Sequence, residues 1–361
     1  MERELARLIL DYSRPVEAGE TLLVQAEMEA WPLLRELHRE ALARGVYPLL
    51  RMAYPGEEAE FLERAGAWLE RVPEVERALV AASDAFVRVL APSDPFAASG
   101  IDGERLARHR RAWGALRPPH GRRTLTLWPT AGLAAMAGMS QPAYRRLVRG
   151  AFFLDRPDPA AAWRALSKAQ ARLIRRLEGV RELRIQAAGT DLRMRVEGRR
   201  WVNSDGRSNF PSGEVYTAPL EDSVEGEVRF DLPILAGGRW VRGVRLVFEA
   251  GRVVEASAEE GDAYLQALLA TDAGARGVGE LGIGTNFGLE RGTGLVLLDE
   301  KIGGTVHLAL GQAYAATGGT NRSAVHRDLI VDLRRGGVLT ADGEVVQEDG
   351  RFNEGWFVWP G

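Results

Sequence analysis

The 361-residue sequence has no cysteine. That absence excludes disulfides, thiolate metal ligands and cysteine nucleophiles together, and it suits a reducing compartment. Lysine is nearly absent as well: among 47 basic residues only Lys168 and Lys301 are lysine. Neither sits in a P-loop or Schiff-base context, so those chemistries have little to work with. No apolar run reaches the roughly 20 residues that a membrane-spanning helix needs. The opening segment MERELARLILDYSRP mixes acids into its apolar residues, which is not the pattern of a signal peptide. With a net charge of −3 there is no electrostatic case for nucleic acid or an anionic membrane. The expectation is a cytoplasmic chain.

What is present fits a globular enzyme, with 45% apolar and 27% charged residues. The length calls for two domains, read as 1–185 and 186–361. In the first, apolar runs at Thr21–Ala26, Tyr47–Met52, Asp84–Leu90 and Arg123–Trp128 read as strands. They alternate with amphipathic helices at Trp31–Arg44, Gly56–Glu70 and Asp102–Leu116, with Gly45, Asp102 and Ser140 as candidate caps. A helix-rich stretch, Ser140–Leu177, is interrupted by a turn at Asp155–Pro159. Strands separated by helices imply an α/β domain with a parallel sheet. After Gly179 the strands become short and alternating, at Glu182–Gln186, Asp191–Val196, Gly226–Leu232, Val241–Phe248 and Arg252–Ala256, with one helix at Glu259–Thr271. That texture implies an α+β domain with a mostly antiparallel or mixed sheet.

The five histidines are His38, His109, His120, His307 and His326. His38 and His109 lie in charged amphipathic helices and read as solvated, and His120 follows two prolines with no evident partner. His326 and Asp328, in the run HRD, are two apart; on an extended chain they face the same way and make a natural pair of metal donors. Glu214, in GEVYTAP, and Glu280, in GVGELGIG, complete with His307 a set of two imidazoles and three carboxylates. Two divalent cations of about +4, three carboxylates of about −3 and one hydroxide of about −1 sum to neutrality. Hard oxygen mixed with imidazole suits zinc, cobalt or manganese. GVGELG also matches the glycine pattern of dinucleotide-binding folds. That reading is rejected, because it needs a strand before the glycines and a helix opening after them.

GEVYTAP, GVGELGIG, LLDEK, HLALGQAY and NRSAVHRD occur in that order, and the series resembles the thermophilic metalloaminopeptidase family often called aminopeptidase T. The resemblance implies a dimeric two-domain exopeptidase acting on small peptides. It implies a co-catalytic pair of metals, zinc or cobalt, in the second domain, with Glu214, Glu280, His307, His326 and Asp328 as ligands. It also makes Tyr314 the active-site tyrosine, a hydrogen-bond donor to an oxyanion, and Glu214 a second catalytic candidate. Two alternatives remain at this point. One is a mononuclear iron dioxygenase of the same fold, opening a dihydroxypyridine ring on two histidines and a carboxylate. The other is a non-enzymatic relative that keeps the fold.

Overall fold

A computed structural model describes residues 1–114, 116, 118 and 121–360; His120 lies outside them. The chain forms two compact units, one of residues 1–161 with 206–211 and the other of 162–205 with 212–361.

The first unit follows the βα alternation of its sequence. Helix α1 (Glu2–Leu8) leads to β1 (Thr21–Glu27), α2 (Trp31–Ala43), β2 (Tyr47–Ala53), α3 (Glu57–Arg64), α4 (Glu74–Ala81), β3 (Ala85–Leu90), α5 (Gly103–Trp113) and β4 (Arg123–Leu127). The four strands form one parallel sheet in the order β2-β1-β3-β4. Its central strands are buried on both faces: Leu22, Leu23, Val24, Val87 and Val89 have almost no solvent exposure. Each such side chain stabilises the unit by about 1.5–3 kcal/mol relative to exposure. Helices α6 (Ala131–Met136) and α7 (Gln141–Ala151) follow.

The expected caps are in place. Gly45 closes α2 with φ +73°, Asp102 accepts from the amides of Glu104 and Arg105, and Ser140 accepts from that of Ala143. One expectation is corrected: the helix read across Gly56–Glu70 stops at Arg64, and a 3₁₀ turn spans Gly66–Leu69. Gly66 takes φ +54°, which an α-helix does not admit.

The second unit begins within α8 (Pro159–Leu177), which leads to β5 (Glu182–Ala187), β6 (Thr190–Arg195), β7 (Val202–Ser204), β8 (Glu214–Thr217) and β9 (Glu225–Phe230). A small hairpin, β10 (Ile234–Ala236) and β11 (Arg239–Val241), precedes β12 (Val244–Glu249), β13 (Arg252–Ser257) and α9 (Asp262–Leu269). The run read as one strand over Val241–Phe248 is thus two, parted where Gly243 turns with φ +57°. Then come β14 (Val278–Gly284), α10 (Val296–Asp299), β15 (Thr305–Gly311), β16 (His326–Asp332), β17 (Val338–Ala341), β18 (Glu344–Glu348) and β19 (Arg351–Phe352). An eight-stranded sheet runs β13-β12-β9-β6-β5-β17-β18-β19, and a five-stranded sheet runs β16-β15-β14-β8-β7. Every pairing in both is antiparallel. The fold class is the expected one, α/β followed by α+β. Among the described residues no helix is long and apolar enough to cross a membrane.

Candidate metal centre

The five-stranded sheet explains how residues more than a hundred positions apart meet. Residues paired across strands share a face, as do residues two apart on one strand. In the register, Glu214 lies opposite Gly284 and Tyr216 opposite Gly282. Gly282 is opposite His307, and Glu280 opposite Ala309. Ala309 is in turn opposite Asp328, and Gly311 opposite His326. Glu214, Tyr216, Glu280, His307, His326 and Asp328 therefore project from one face. Glycine or alanine fills the intervening positions, and that vacated volume is where the long polar side chains converge.

Gly282 shows how tight the arrangement is: a Cβ there would stand 2.1 Å from Nε2 and Cε1 of His307. A register shift between Val278 and Glu280 makes Gly279 an extra residue, a β-bulge at the edge of the site.

Glu214 Oε2 and Glu280 Oε1 each lie 3.3 Å from His307 Nε2. Glu280 Oε2 and Asp328 Oδ1 each lie 3.7 Å from His326 Nε2. Glu280 thus turns one oxygen to each imidazole. Three groups of donor atoms fall within 4.8 Å of one another: Glu214–Glu280–His307, Glu280–His326–Asp328 and Glu300–His307–Asp328. Glu214, Glu280, Glu300, His307 and Asp328 are buried, and His326 is partly open to solvent.

This concentration of carboxylates shifts the equilibria of its members. Burial pushes the Glu280 carboxyl up, His307 pulls it back, and the charges of Asp328 and Glu214 push it up further, for a net rise. Glu300 rises well above its usual range for the same reasons, burial first, although Lys301 opposes it. Burial alone would lower His307, but its hydrogen bond to Glu280 and the charges of Glu214, Glu280 and Glu300 outweigh it and raise the imidazole to about 9. For Asp328 the order of effects reverses the outcome: burial raises it, yet His326, His307 and Lys301 hold it below the usual carboxylate range. Tyr216 and Tyr314 are both pushed up, by desolvation first and then by the acids, although Tyr314 is still 45% exposed to solvent, so that the carboxylates beside it are the firmer part of its shift. Both phenols therefore keep their protons at neutral pH.

The donor set fits a divalent metal. Four buried carboxylates face Lys301 and His307, and even with that imidazole charged the acids outnumber the bases; uncompensated buried charge costs several kcal/mol per ion, so the site calls for further positive charge. Glu214 Oε2 and His307 Nδ1 are buried without a hydrogen-bond partner among the described residues. His326 Nδ1 donates to the carbonyl of Gln312 at 2.8 Å, which in the neutral ring fixes the tautomer and leaves the Nε2 lone pair, on the side of Glu280 and Asp328, to ligate a metal. A backbone carbonyl in that role is the usual support of a metal-bound imidazole. Tyr314 follows β15 at the start of a 3₁₀ turn, not on the strand itself. Its ring is 4.8 Å from that of His326 and 5.7 Å from that of Tyr216.

All six residues singled out in the sequence are thus brought together. Three residues of the cluster were not singled out for it: Tyr216, Glu300 and Lys301. Lys301 Nζ donates to Glu214 Oε1 at 2.5 Å and also to Glu300 Oε1. The available signal was LLDEK, which carries one of only two lysines in the chain. All of the glycine pattern GVGELG but Gly277 lies in β14, with no helix opening from it, in keeping with its rejection as a nucleotide motif.

Comparisons with known proteins converge on one group. The family model described as Thermophilic metalloprotease (M29) matches residues 2–352. Aminopeptidase T of Thermus thermophilus is 31% identical to this chain, the match covering 96% of the chain and 95% of that protein. Aminopeptidase 2 of Geobacillus stearothermophilus is 28% identical, with 95% of each covered. Among solved structures, wild-type AmpT from Thermus thermophilus superposes with a TM-score of 0.80 at 26% identity, over 97% of this chain and 98% of that one.

Proposed function

The chain belongs to the thermophilic metalloprotease family, and on that footing we propose that it is a metal-dependent aminopeptidase that removes N-terminal residues from small peptides at a two-metal site. The observation that carries the reading is the shared carboxylate: the groups Glu214–Glu280–His307 and Glu280–His326–Asp328 have Glu280 in common. Glu214, Glu280 and His307 would hold one cation, and Glu280, His326 and Asp328 the other, zinc or cobalt by donor type. When bound, such a pair supplies Lewis acidity toward the scissile carbonyl and makes a water nucleophilic near neutral pH.

The protein's own groups do the rest. The Tyr314 phenol, which holds its proton at neutral pH, donates a hydrogen bond to the oxyanion that develops on the substrate. The Gln312 carbonyl holds the His326 ring in the orientation that presents Nε2. The same reading makes the protein a cytoplasmic homodimer, which sedimentation at micromolar concentration tests. None of the relatives reported above supports the iron dioxygenase.

Stripping the protein of metal should abolish hydrolysis of a leucyl anilide, and zinc or cobalt should restore it. Glu280→Ala should lose both metals and at least ~10²-fold in kcat/KM, the scale expected when reacting groups lose their placement. Full activity after exhaustive chelation overturns the proposal, as does a Glu280→Ala variant that retains two metals per chain.

A further inference from the structure

Lysine is the rare base in this chain, yet one of its two lysines is buried in the most acidic part of the structure. The Lys301 side chain is 1% exposed. Its backbone is pinned at both ends: the amide donates to Leu298 O at 3.0 Å and the carbonyl accepts from the Asn286 amide at 2.9 Å. The ammonium therefore has a fixed origin, and it reaches Glu214 Oε1 and Glu300 Oε1. As an ammonium it has no lone pair to offer a metal.

Its effect falls on Glu214, whose two oxygens have different surroundings. Oε1 is taken by Lys301. Oε2 faces His307 at 3.3 Å and accepts no hydrogen bond among the described residues. The Glu214 backbone is held too, since its carbonyl accepts from the buried Gln170 amide group on α8. Resting on the two-metal reading above, we propose that Lys301 is a positioning residue: it ties down one oxygen of Glu214 so that only the other is presented to a divalent cation. The compact ammonium suits this place, because it can meet two carboxylates at a point where the planar fork of arginine needs more room.

The competing explanation is that Lys301 only neutralises Glu300. Three metal-stripped proteins separate the two: wild type, Lys301→Met, and the double variant Lys301→Met with Glu300→Gln. Each is titrated with zinc against a competing chelator, and the d–d absorption of its cobalt form is recorded. The expected result is a 10- to 100-fold loss of zinc affinity in Lys301→Met, the usual range for a lost supporting contact to a metal ligand, with an altered cobalt spectrum. The double variant should keep that loss, since Glu214 still lacks its anchor. Should Lys301→Met not fold, the double variant is compared instead with Glu300→Gln alone, which lacks the same carboxylate but keeps Lys301 on Glu214. Wild-type affinity in folded Lys301→Met, or its return in the double variant, overturns the Lys301 role alone. A wild type that binds neither zinc nor cobalt brings down the two-metal reading and this role with it.

Discussion

At the scale of single residues, the site depends as much on what is small as on what is charged. Gly282 is opposite both Tyr216 and His307. His307 is fully buried, so its ring has nowhere to retreat when a Cβ arrives 2.1 Å from it. Gly282→Ala should displace the imidazole and lower both bound metal and kcat/KM, the latter by about 10²-fold, since misplacement of about 1 Å has that effect. Gly100, with open space around it and an ordinary φ, is the control: Gly100→Ala should leave metal content unchanged. Metal analysis of the two purified variants decides it, and a Gly282→Ala protein with full metal content removes the argument. The same scale shows what the sequence could disclose. His326 and Asp328 were legible because a spacing of two has one meaning on a strand, and the ordered motifs brought in Glu214, Glu280, His307 and Tyr314. Glu300 and Lys301 were not, because an Asp-Glu-Lys run reads as a solvated surface until the fold buries it. Asp299 explains that burial in part: it accepts from the Thr293 amide and hydroxyl and from the Gly294 amide, fixing the turn from which α10 delivers the pair.

At the scale of elements, the parallel strands were readable as short apolar runs between amphipathic helices. The strands of the candidate site were not, apart from the extended HRD that opens β16. β14 and β15 are buried along their whole length, so they show no alternation, and VGELGIG has too many glycines to resemble a strand. Their identity comes from pairing, which a local window cannot see. The helices of the first unit offer a separate test of element-level electrostatics. Glu40 on α2 receives Arg3 and Arg7 from α1, and Arg44 as well. The hydrogen bonds from Arg3 and Arg44, resisted by burial and reinforced by Arg7, hold its carboxyl down at about 2. A carboxyl depressed on folding contributes stability that is complete above its unfolded pKa, ordinarily about 4.3, and is lost as pH falls through the folded value. Wild type should therefore exceed Glu40→Gln in thermal stability by a constant margin above about pH 5, and that margin should shrink steadily toward pH 2. A margin independent of pH across this range means that the α1–α2 contact does not rest on the Glu40 charge.

At the scale of the whole molecule, the five proposed ligands come from four strands of one sheet, all within the second unit. A metal held by this donor set would thus be linked to the opening of that sheet and not to local opening elsewhere. A ligand present at 100 times its dissociation constant stabilises the bound state by about 2.7 kcal/mol, equivalent to about a 100-fold slowing of exchange for amides released by that opening. Zinc added to the metal-free protein should slow hydrogen exchange along Val278–Gly284, Thr305–Gly311 and His326–Asp332. The locally exchanging amides of β1 to β4 should keep their rates, because no donor lies on the parallel sheet. The parallel sheet is built to be stable without the ion: its central strands bury leucine and valine on both faces. The candidate site instead gathers four buried carboxylates beside Lys301 and His307, a state that its own side chains leave short of positive charge. Equal slowing in both units, or none in the three named strands, is incompatible with a metal centre confined to this sheet. Slowing limited to those strands, and absent in Glu280→Ala, ties the ion both to the fold of the second unit and to the carboxylate that its two donor groups share.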